Sequence, residues 1–460
     1  MKFDIKEEQL IIKPYENEGT IQVREQKGRY QGLRRKLSWL LMITFMLVPF
    51  IPYNGQQAVL LDISEQQFRI FAITFWPQDF IFLAGIFMVA AFALFFVTAW
   101  LGRVWCGYTC PQTIWTLAYV WVEHRIEGNR NKRIALNKKP WTLEKINIKA
   151  QKHIIWFFMS FVTATTFVSY FVPVVELYSN MLSFEWSGLV TFWVFFFALC
   201  TYGNAGFLRE KVCTHMCPYA RFQSAMFDKD TLIVAYDPAR GESRGRRKRK
   251  DDPKALGLGD CVDCNLCVEV CPVGIDIRNG LQYECINCAL CVDACDQTMD
   301  KFGYEQGLIS YTSEQQLTGK TSPKFSYKLF GYASFTLLIT TLMAFWLYSR
   351  IPLEVSVLRD RNVLFRVNYE GNVENIYTLK ILNKNQQALH YSINVQGLDD
   401  VSVNVPDSVL IGAGKMLQIP VTLATDGYNL TKKMTDIRFV VQAVEQPETM
   451  LVKETVFFRD

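Results

Sequence analysis

The sequence predicts a multi-domain integral membrane protein: a membrane domain of five α-helical spans, a small α+β module organised around eight cysteines, and a C-terminal β-sandwich. Three observations predict it. Five stretches of roughly fifteen to twenty-three residues are almost free of charge. Eight cysteines recur in two runs of one spacing, and beyond Arg350 apolar residues alternate with period two. With 460 residues the chain exceeds a single small module, and 50% hydrophobic residues exclude a disordered or low-complexity chain. The net charge of +5 is a mild excess that suits cytoplasmic loops on anionic lipid, and no nucleic-acid partner is expected.

The expected spans are about 37–51, 80–101, 154–175, 186–208 and 329–348. Each suits a helix crossing a core of about 30 Å, the first being short. The polar lead, residues 1–36, is too long for the charged leader of a signal peptide and reads as the start of an uncleaved anchor. Lys and Arg set the orientation: the lead holds Arg24, Lys27, Arg29, Arg34, Arg35 and Lys36, and 102–152 holds ten basic residues, whereas 54–78 has only Arg69. Basic loops stay inside, so 209–325 is expected in the cytoplasm and 351–460 in the periplasm of a bacterial inner membrane. Ile114–Val122 is apolar but too short to span after Pro111, and reads as a short helix at the cytoplasmic interface. Phe68–Phe75 reads as interfacial on the other face for the same reason of length.

The domains follow: the lead 1–36, a membrane domain 37–250, a cysteine module 251–325, a fifth span within 326–350, and a sandwich 351–460. In the last, Val363, Phe365 and Val367 alternate, as do Val401 to Val405, Leu417 to Leu423 and Ile437 to Ala443. About seven short strands, separated by turns such as Glu370-Gly371-Asn372 and Asp426-Gly427, indicate an immunoglobulin-like sandwich, here without cysteines for an inter-sheet disulfide.

All 13 cysteines lie between Cys106 and Cys295. CVDCNLCVEVCP and, thirteen residues later, CINCALCVDACD each hold C-x2-C-x2-C-x3-C, the two-cluster bacterial ferredoxin spacing for 4Fe–4S clusters. In that module the fourth cysteine of each run serves the other cluster. One cluster is then held by Cys261, Cys264, Cys267 and Cys295, the other by Cys285, Cys288, Cys291 and Cys271. Zinc also uses C-x2-C pairs, but in two pairs rather than triplets plus one. Asp296 stands where proline is usual. Such clusters transfer electrons, which is the base functional reading.

Two further pairs match each other: Cys106-Gly-Tyr-Thr-Cys110-Pro111 and Cys213-Thr-His-Met-Cys217-Pro218. Proline favours the first helical position, so Cys110 and Cys217 should each cap a new helix, where the partial positive charge favours a thiolate. Soft thiolates select Cu(I), zinc or iron–sulfur, and His215 and Met216 add ligand types that copper accepts. The bland alternative is four buried thiols. Cys200, alone in a span, reads as packing. The run 240–250, with seven basic residues, reads as a lipid contact.

Several stretches resemble the FixG/CcoG (RdxA) family of membrane polyferredoxins: FWPQDF at 75–80, GRVWCGYTCPQTIW at 102–115, WVEHRIEGNR at 121–130 and CTHMCPYARFQSAMFDKDTLIVAYDPARGE at 213–242. The resemblance covers nearly the whole chain. It implies an accessory protein of cbb-type cytochrome c oxidase, a cupric reductase supplying Cu(I), with Cys106, Cys110, Cys213 and Cys217 as the copper site. Implied partners are membrane lipid, oxidase assembly factors or a copper chaperone, and an unidentified cytoplasmic or quinol electron donor. A quinol-oxidising electron carrier and a scaffold with structural clusters are the competing readings.

The charge asymmetry is checked with single cysteines placed near Gly257 and Gly412. An impermeant thiol reagent applied to intact cells should label only the second site; labelling at Gly257 would overturn the sidedness.

Overall fold

The structure, a computed structural model, describes residues 21–459 apart from 254, 321–325, 361–362, 370, 399 and 427–431 and the side chain of Ser224. The chain forms two compact units, one of 1–47, 85–168 and 178–340, the other of 48–84, 169–177 and 341–460.

Among the described residues three helices are long and apolar enough to cross a membrane: Pro77–Leu101, Gly188–Leu208 and Tyr327–Ser349. Phe80–Leu101 has 22 residues without one charge, a rise of about 33 Å. The other two expected spans have different bounds. The first helix is Arg29–Leu47, so it starts inside the basic lead and gives way to a 3-10 turn, Val48–Phe50, at Pro49. The third is Leu143–Val168, with Lys145, Lys149 and Lys152 in its first half, and it stops short of Pro173, beyond which Val174–Leu182 is a separate helix. An uncharged run marks where a helix meets an apolar medium. Its backbone continues until a proline stops it, with long basic side chains tolerated on the way.

In the first unit the apolar stretch Ile114–Val122 lies within a helix, Pro111–Ile126, that buries Ile114, Tyr119, Val122 and Glu123. Tyr119 is fully buried and donates to the Trp156 carbonyl at 3.0 Å, while the Trp156 indole donates to the Tyr119 carbonyl at 3.2 Å. One turn on, buried Glu123 accepts from Arg133 at 2.8 Å and Arg209 at 2.6 Å, and Glu127 from Lys152 at 2.9 Å. Glu123 and Glu127 of WVEHRIEGNR are therefore held in a buried ion-pair network by Arg133, Lys152 and Arg209, cations from outside that stretch.

The cysteine module begins upstream of 251. Strand Ile233–Tyr236 pairs antiparallel with Ile309–Thr312, and Val234 and Tyr236 belong to the same core as Cys267, Val270, Cys288 and Met299. The sequence repeat is visible in the backbone: Asp263 and Asn265 in the first run, Asn287 and Ala289 in the second, all have positive φ. These left-handed residues fold each run into a closed loop before its helix, Leu266–Glu269 and Leu290–Phe302. Asp296 is explained here. The second helix continues through it to Phe302, and a proline would remove the amide that continuation requires. Its carboxylate accepts from the Gly307 amide at 3.0 Å.

In the second unit two antiparallel sheets face each other. One runs in the order Ser402–Asn404, Met416–Asp426, Asn372–Asn383, Leu353–Arg359, with Arg366–Val367 also on Asn372–Asn383. The other runs Val409–Ile411, Leu389–Gln396, Met434–Ala443, Met450–Phe458. Nine strands are thus described where about seven were expected, and of Val363, Phe365 and Val367 only the last is in a strand. Of the expected turns, residues 370 and 427 lie outside the described set. The core is mostly apolar, with Tyr377 and Phe439 edge to face at 5.4 Å and the Tyr377 hydroxyl donating to the Val456 carbonyl at 2.9 Å. Phe68–Phe75, expected to be interfacial, forms the hairpin strands Gln67–Ile70 and Ile73–Phe75, the first also paired with Val59–Asp62. Phe439→Ala should cost about 3–5 kcal/mol. Hydrogen exchange of Met434–Ala443 in the full-length protein checks it: protection should fall, and unchanged protection would refute the central role of this ring.

Candidate electron-transfer and metal site

Two neighbouring cavities in the first unit collect the eight cysteines of the repeated runs. One is lined by Cys261, Cys264, Cys267 and Cys295, the other by Cys271, Cys285, Cys288 and Cys291, with Cys267 also reaching the second. The fourth cysteine of each run therefore lies in the cavity of the other run. The residues present fit a 4Fe–4S cluster in each: four thiols converge between apolar walls such as Val273, Ile275 and Ile277, and backbone amides turn toward sulfur, those of Val273 and Ile275 at Cys271 and that of Asn287 at Cys285. Burial pushes the Cys267 and Cys285 thiols up to about 12. A bound metal must displace those protons. Arg278, held by Asp276 at 2.6 Å and Asp263 at 2.7 Å, closes the wall beside Cys267.

The two short cysteine pairs sit in turns built as expected. Cys110 is the extended residue before Pro111–Ile126, and Cys217 is the extended residue before Pro218–Met226. Cys106 lies in a short helix, Val104–Tyr108, and Cys213 in a π-helical turn, Val212–Met216, closed by the Cys217 amide on the Val212 carbonyl at 2.8 Å. The turns meet. Cys106 feels the charge of Cys110 and Cys217, and Cys213 that of Cys110, Cys106 and Cys217. Thiol acidity departs from the expectation at Cys110: the Gln112 and Thr113 amides pull its pKa down, but burial outweighs them and the net shift is upward. Burial likewise pushes Cys106 up to about 11 and Cys213 up to about 12. Among the described residues no three His, Cys, Asp or Glu side chains form a set ready to hold a single metal ion. His215 and Met216 are exposed, Met216 to 60%, and His215 Nδ1 is 2.6 Å from the Thr214 hydroxyl.

The residues that join the pairs to the module are ones that spacing did not mark. Gly107, beside Cys106, is so close to the second cysteine loop that an added Cβ would stand 2.6 Å from the Ile286 carbonyl and 3.0 Å from the Cys288 Cα. Its carbonyl accepts from buried Arg34 at 2.9 Å. Gly102, with φ +62, meets the Asn287 side chain in the same way, and that side chain donates to the Leu101 carbonyl at 3.3 Å. Arg103, 2% exposed, donates to the Tyr283 carbonyl at 2.7 Å and to the Ala220 carbonyl, and its charge bears on Cys106, Cys213 and Cys285 alike. The Cys106 thiol donates to buried Gln223 at 3.2 Å. In the sequence Arg103 is indistinguishable from a basic residue flanking a span; the glycine inside CGYTCP was the one available signal.

Gly107→Ala should shift the Cys285–Cys291 loop at a cost of about 1–3 kcal/mol. Iron content and the electron resonance line shape of the anaerobic protein check it: one cluster signal should broaden or be lost, and native values in both would refute the close contact.

A family model described as a 4Fe-4S dicluster domain matches residues 208–314, and one described as the IG-like fold at the C-terminal of FixG matches 343–460. Nitrogen fixation protein FixG of Rhizobium meliloti (strain 1021) is 36% identical over 434 residues, covering 85% of this chain and 83% of that protein. Protein RdxA of Cereibacter sphaeroides is 35% identical over 433 residues, covering 89% and 91%. A crystal structure of a FixG-related protein from Vibrio parahaemolyticus is 38% identical, covers 24% of this chain and 97% of its own, and has a TM-score of 0.22. With relatives matched over most of both chains and a 4Fe–4S domain at the cysteine module, the chain belongs to the FixG/RdxA family of iron–sulfur redox proteins.

Proposed function

We propose that the protein is a membrane-bound cupric reductase: it holds Cu(II) at Cys106, Cys110, Cys213 and Cys217, reduces it by one electron and releases Cu(I) for the copper centre of a cbb-type cytochrome c oxidase. The observation that carries the reading is the packing of the first cysteine turn on the cluster loop, with Gly107 on the Cys288 backbone, and its ties through Arg103 and Cys106 to the helix that Cys217 opens. When bound at the eight cysteines of the module, two 4Fe–4S clusters supply one-electron transfer. The chain's own residues do the rest. Soft thiolate donors select Cu(I), so the reduced ion is the one these four cysteines favour. Arg103 presents a fixed positive charge to Cys106 and Cys213, which favours their thiolate forms when a metal displaces the protons. His215 and Met216, exposed on the same turn, are candidates to receive or pass on the ion rather than to retain it.

Multi-pass insertion with 209–325 in the cytoplasm and 351–460 in the periplasm belongs to the same reading. Its support is that the loop 48–84 joins 341–460 in one compact unit while the basic segments 102–152 and 209–320 fall in the other. Membrane lipid, an oxidase assembly factor or a copper chaperone are the partners this placement requires.

The double variant Cys110→Ser/Cys217→Ser should lose copper binding and Cu(II) reduction while both clusters remain reducible by dithionite. Because Cys106 and Cys213 are held protonated at neutral pH, Cu(I) affinity in the native protein should rise with pH, by about tenfold per unit for each thiol deprotonated. Native-rate Cu(II) reduction by the double variant would overturn the copper site and leave an electron carrier of other purpose.

A further inference from the structure

In the first unit a pocket opens between helix Arg29–Leu47 and helix Pro111–Ile126. From the first helix it takes Gln31, Arg34, Ser38 and Met42, spaced three, four and four apart, which is one helical face. Its floor is Pro272 and Leu290, the chain neighbours of Cys271 and Cys291. The pocket therefore shares a wall with the cavity lined by Cys271, Cys285, Cys288 and Cys291.

Among the described residues, two polar atoms in this wall have no partner. Gln31 is 6% exposed and Ser38 5%, and the Gln31 Oε1 and Ser38 Oγ atoms are buried without a hydrogen bond. An orphaned acceptor and an orphaned hydroxyl one helical face apart cost free energy unless something binds them. The remaining lining is mostly apolar, including Trp39, Leu117, Val120 and Trp121. Of its arginines, Arg24 pairs with Glu269 at 3.0 Å, Arg35 with Glu25 at 2.9 Å and Arg209 with Glu123 at 2.6 Å, while buried Arg34 donates to the Gly107 carbonyl. An anionic nucleotide would have to compete with Glu269, Glu25 and Glu123 for three of these cations, whereas a neutral, flat, apolar molecule with hydroxyl groups meets both orphaned atoms.

We infer that this pocket binds a membrane quinol through Gln31 and Ser38 and that the quinol is the electron donor for the proposed reductase. The inference rests on the proposed function for its terminal acceptor. Oxidation of one quinol breaks two O–H bonds and converts two ring C–O bonds to carbonyls, releasing two protons and two electrons. The electrons leave one at a time across the wall at Pro272 and Leu290, and two Cu(II) ions are reduced to Cu(I). Glu210 lines the pocket with its carboxyl held above the usual range by burial, so it is suited to take one proton, and water takes the other.

The test uses the full-length protein in lipid nanodiscs, anaerobic, with decylubiquinol as probe and quenching of tryptophan fluorescence as the binding readout. Decylubiquinol should bind saturably. Its doubly O-methylated analogue, which cannot donate, should bind about tenfold more weakly, the loss expected for unmade hydrogen bonds to buried groups. Gln31→Leu should weaken quinol binding by a similar factor, and Ser38→Phe, which fills the pocket, should abolish it. Both variants should retain native iron content and full bleaching by dithionite, which shows that they fold. Cluster bleaching by decylubiquinol should be slowed in parallel with binding. Absence of saturable binding, equal binding of the methylated analogue, or native binding by Ser38→Phe would each overturn the inference. Cu(II) reduction by the dithionite-reduced protein is measured alongside: if it fails while quinol binds as described, the copper reading falls and the quinol site stands.

Discussion

The backbone contact at Gly107 is the constraint on which the rest of the site depends. Side chains can swing, but a glycine pressed against the Ile286 carbonyl and the Cys288 Cα has nowhere to move without separating two segments of chain. It fixes how far the first cysteine turn lies from the second cysteine run. The second turn is then drawn in by Arg103, which bonds the Ala220 carbonyl in the helix capped by Cys217 and the Tyr283 carbonyl before Cys285. The helix Arg29–Leu47 is locked onto the same module at its first turn: the Asp293 carboxylate, between Cys291 and Cys295, accepts the Tyr30 and Gln31 amides at 3.1 and 2.8 Å. A carboxylate at a helix N-terminus satisfies orphan amides and meets the positive end of the dipole.

The buried cations divide into two kinds. Arg133, Arg209 and Lys152 have carboxylate partners, Glu123 and Glu127. Arg103 is different. Its partners are carbonyl dipoles and the Tyr283 ring at 4.9 Å, and its Nε has no partner among the described residues. A cation so placed lacks a carboxylate among these partners and favours ionised sulfur nearby. The same residue thus favours negative sulfur in the pair turns and at Cys285, the electrostatic condition for soft metals on both sides of the contact.

In the second unit the corresponding anchor is Asp79, 7% exposed, which accepts from Arg350 at 2.5 Å, Lys384 at 3.3 Å and the Trp76 amide at 3.1 Å. FWPQDF is therefore a structural motif. It joins the entry of helix Phe80–Leu101, the exit of helix Tyr327–Ser349 and the sandwich through one carboxylate, and a sandwich without disulfides relies on such ties together with its aromatic core.

The sequence by itself determined whatever depends on neighbours in the chain. The cysteine runs, the prolines after Cys110 and Cys217, the uncharged stretch Phe80–Leu101 and the alternation in Met434–Ala443 each specify local backbone, and local backbone is what spacing encodes. The tertiary structure decided which turns meet. Arg103 and Tyr283 are 180 residues apart, and no period or propensity relates them. The helix bounds at Arg29, Val168 and Leu143, the strand Ile233–Tyr236 that completes the cysteine module, and the orphaned Gln31 and Ser38 were equally beyond spacing. Each depends on which buried polar groups find partners across the fold, and that is settled only when loops of such length have closed.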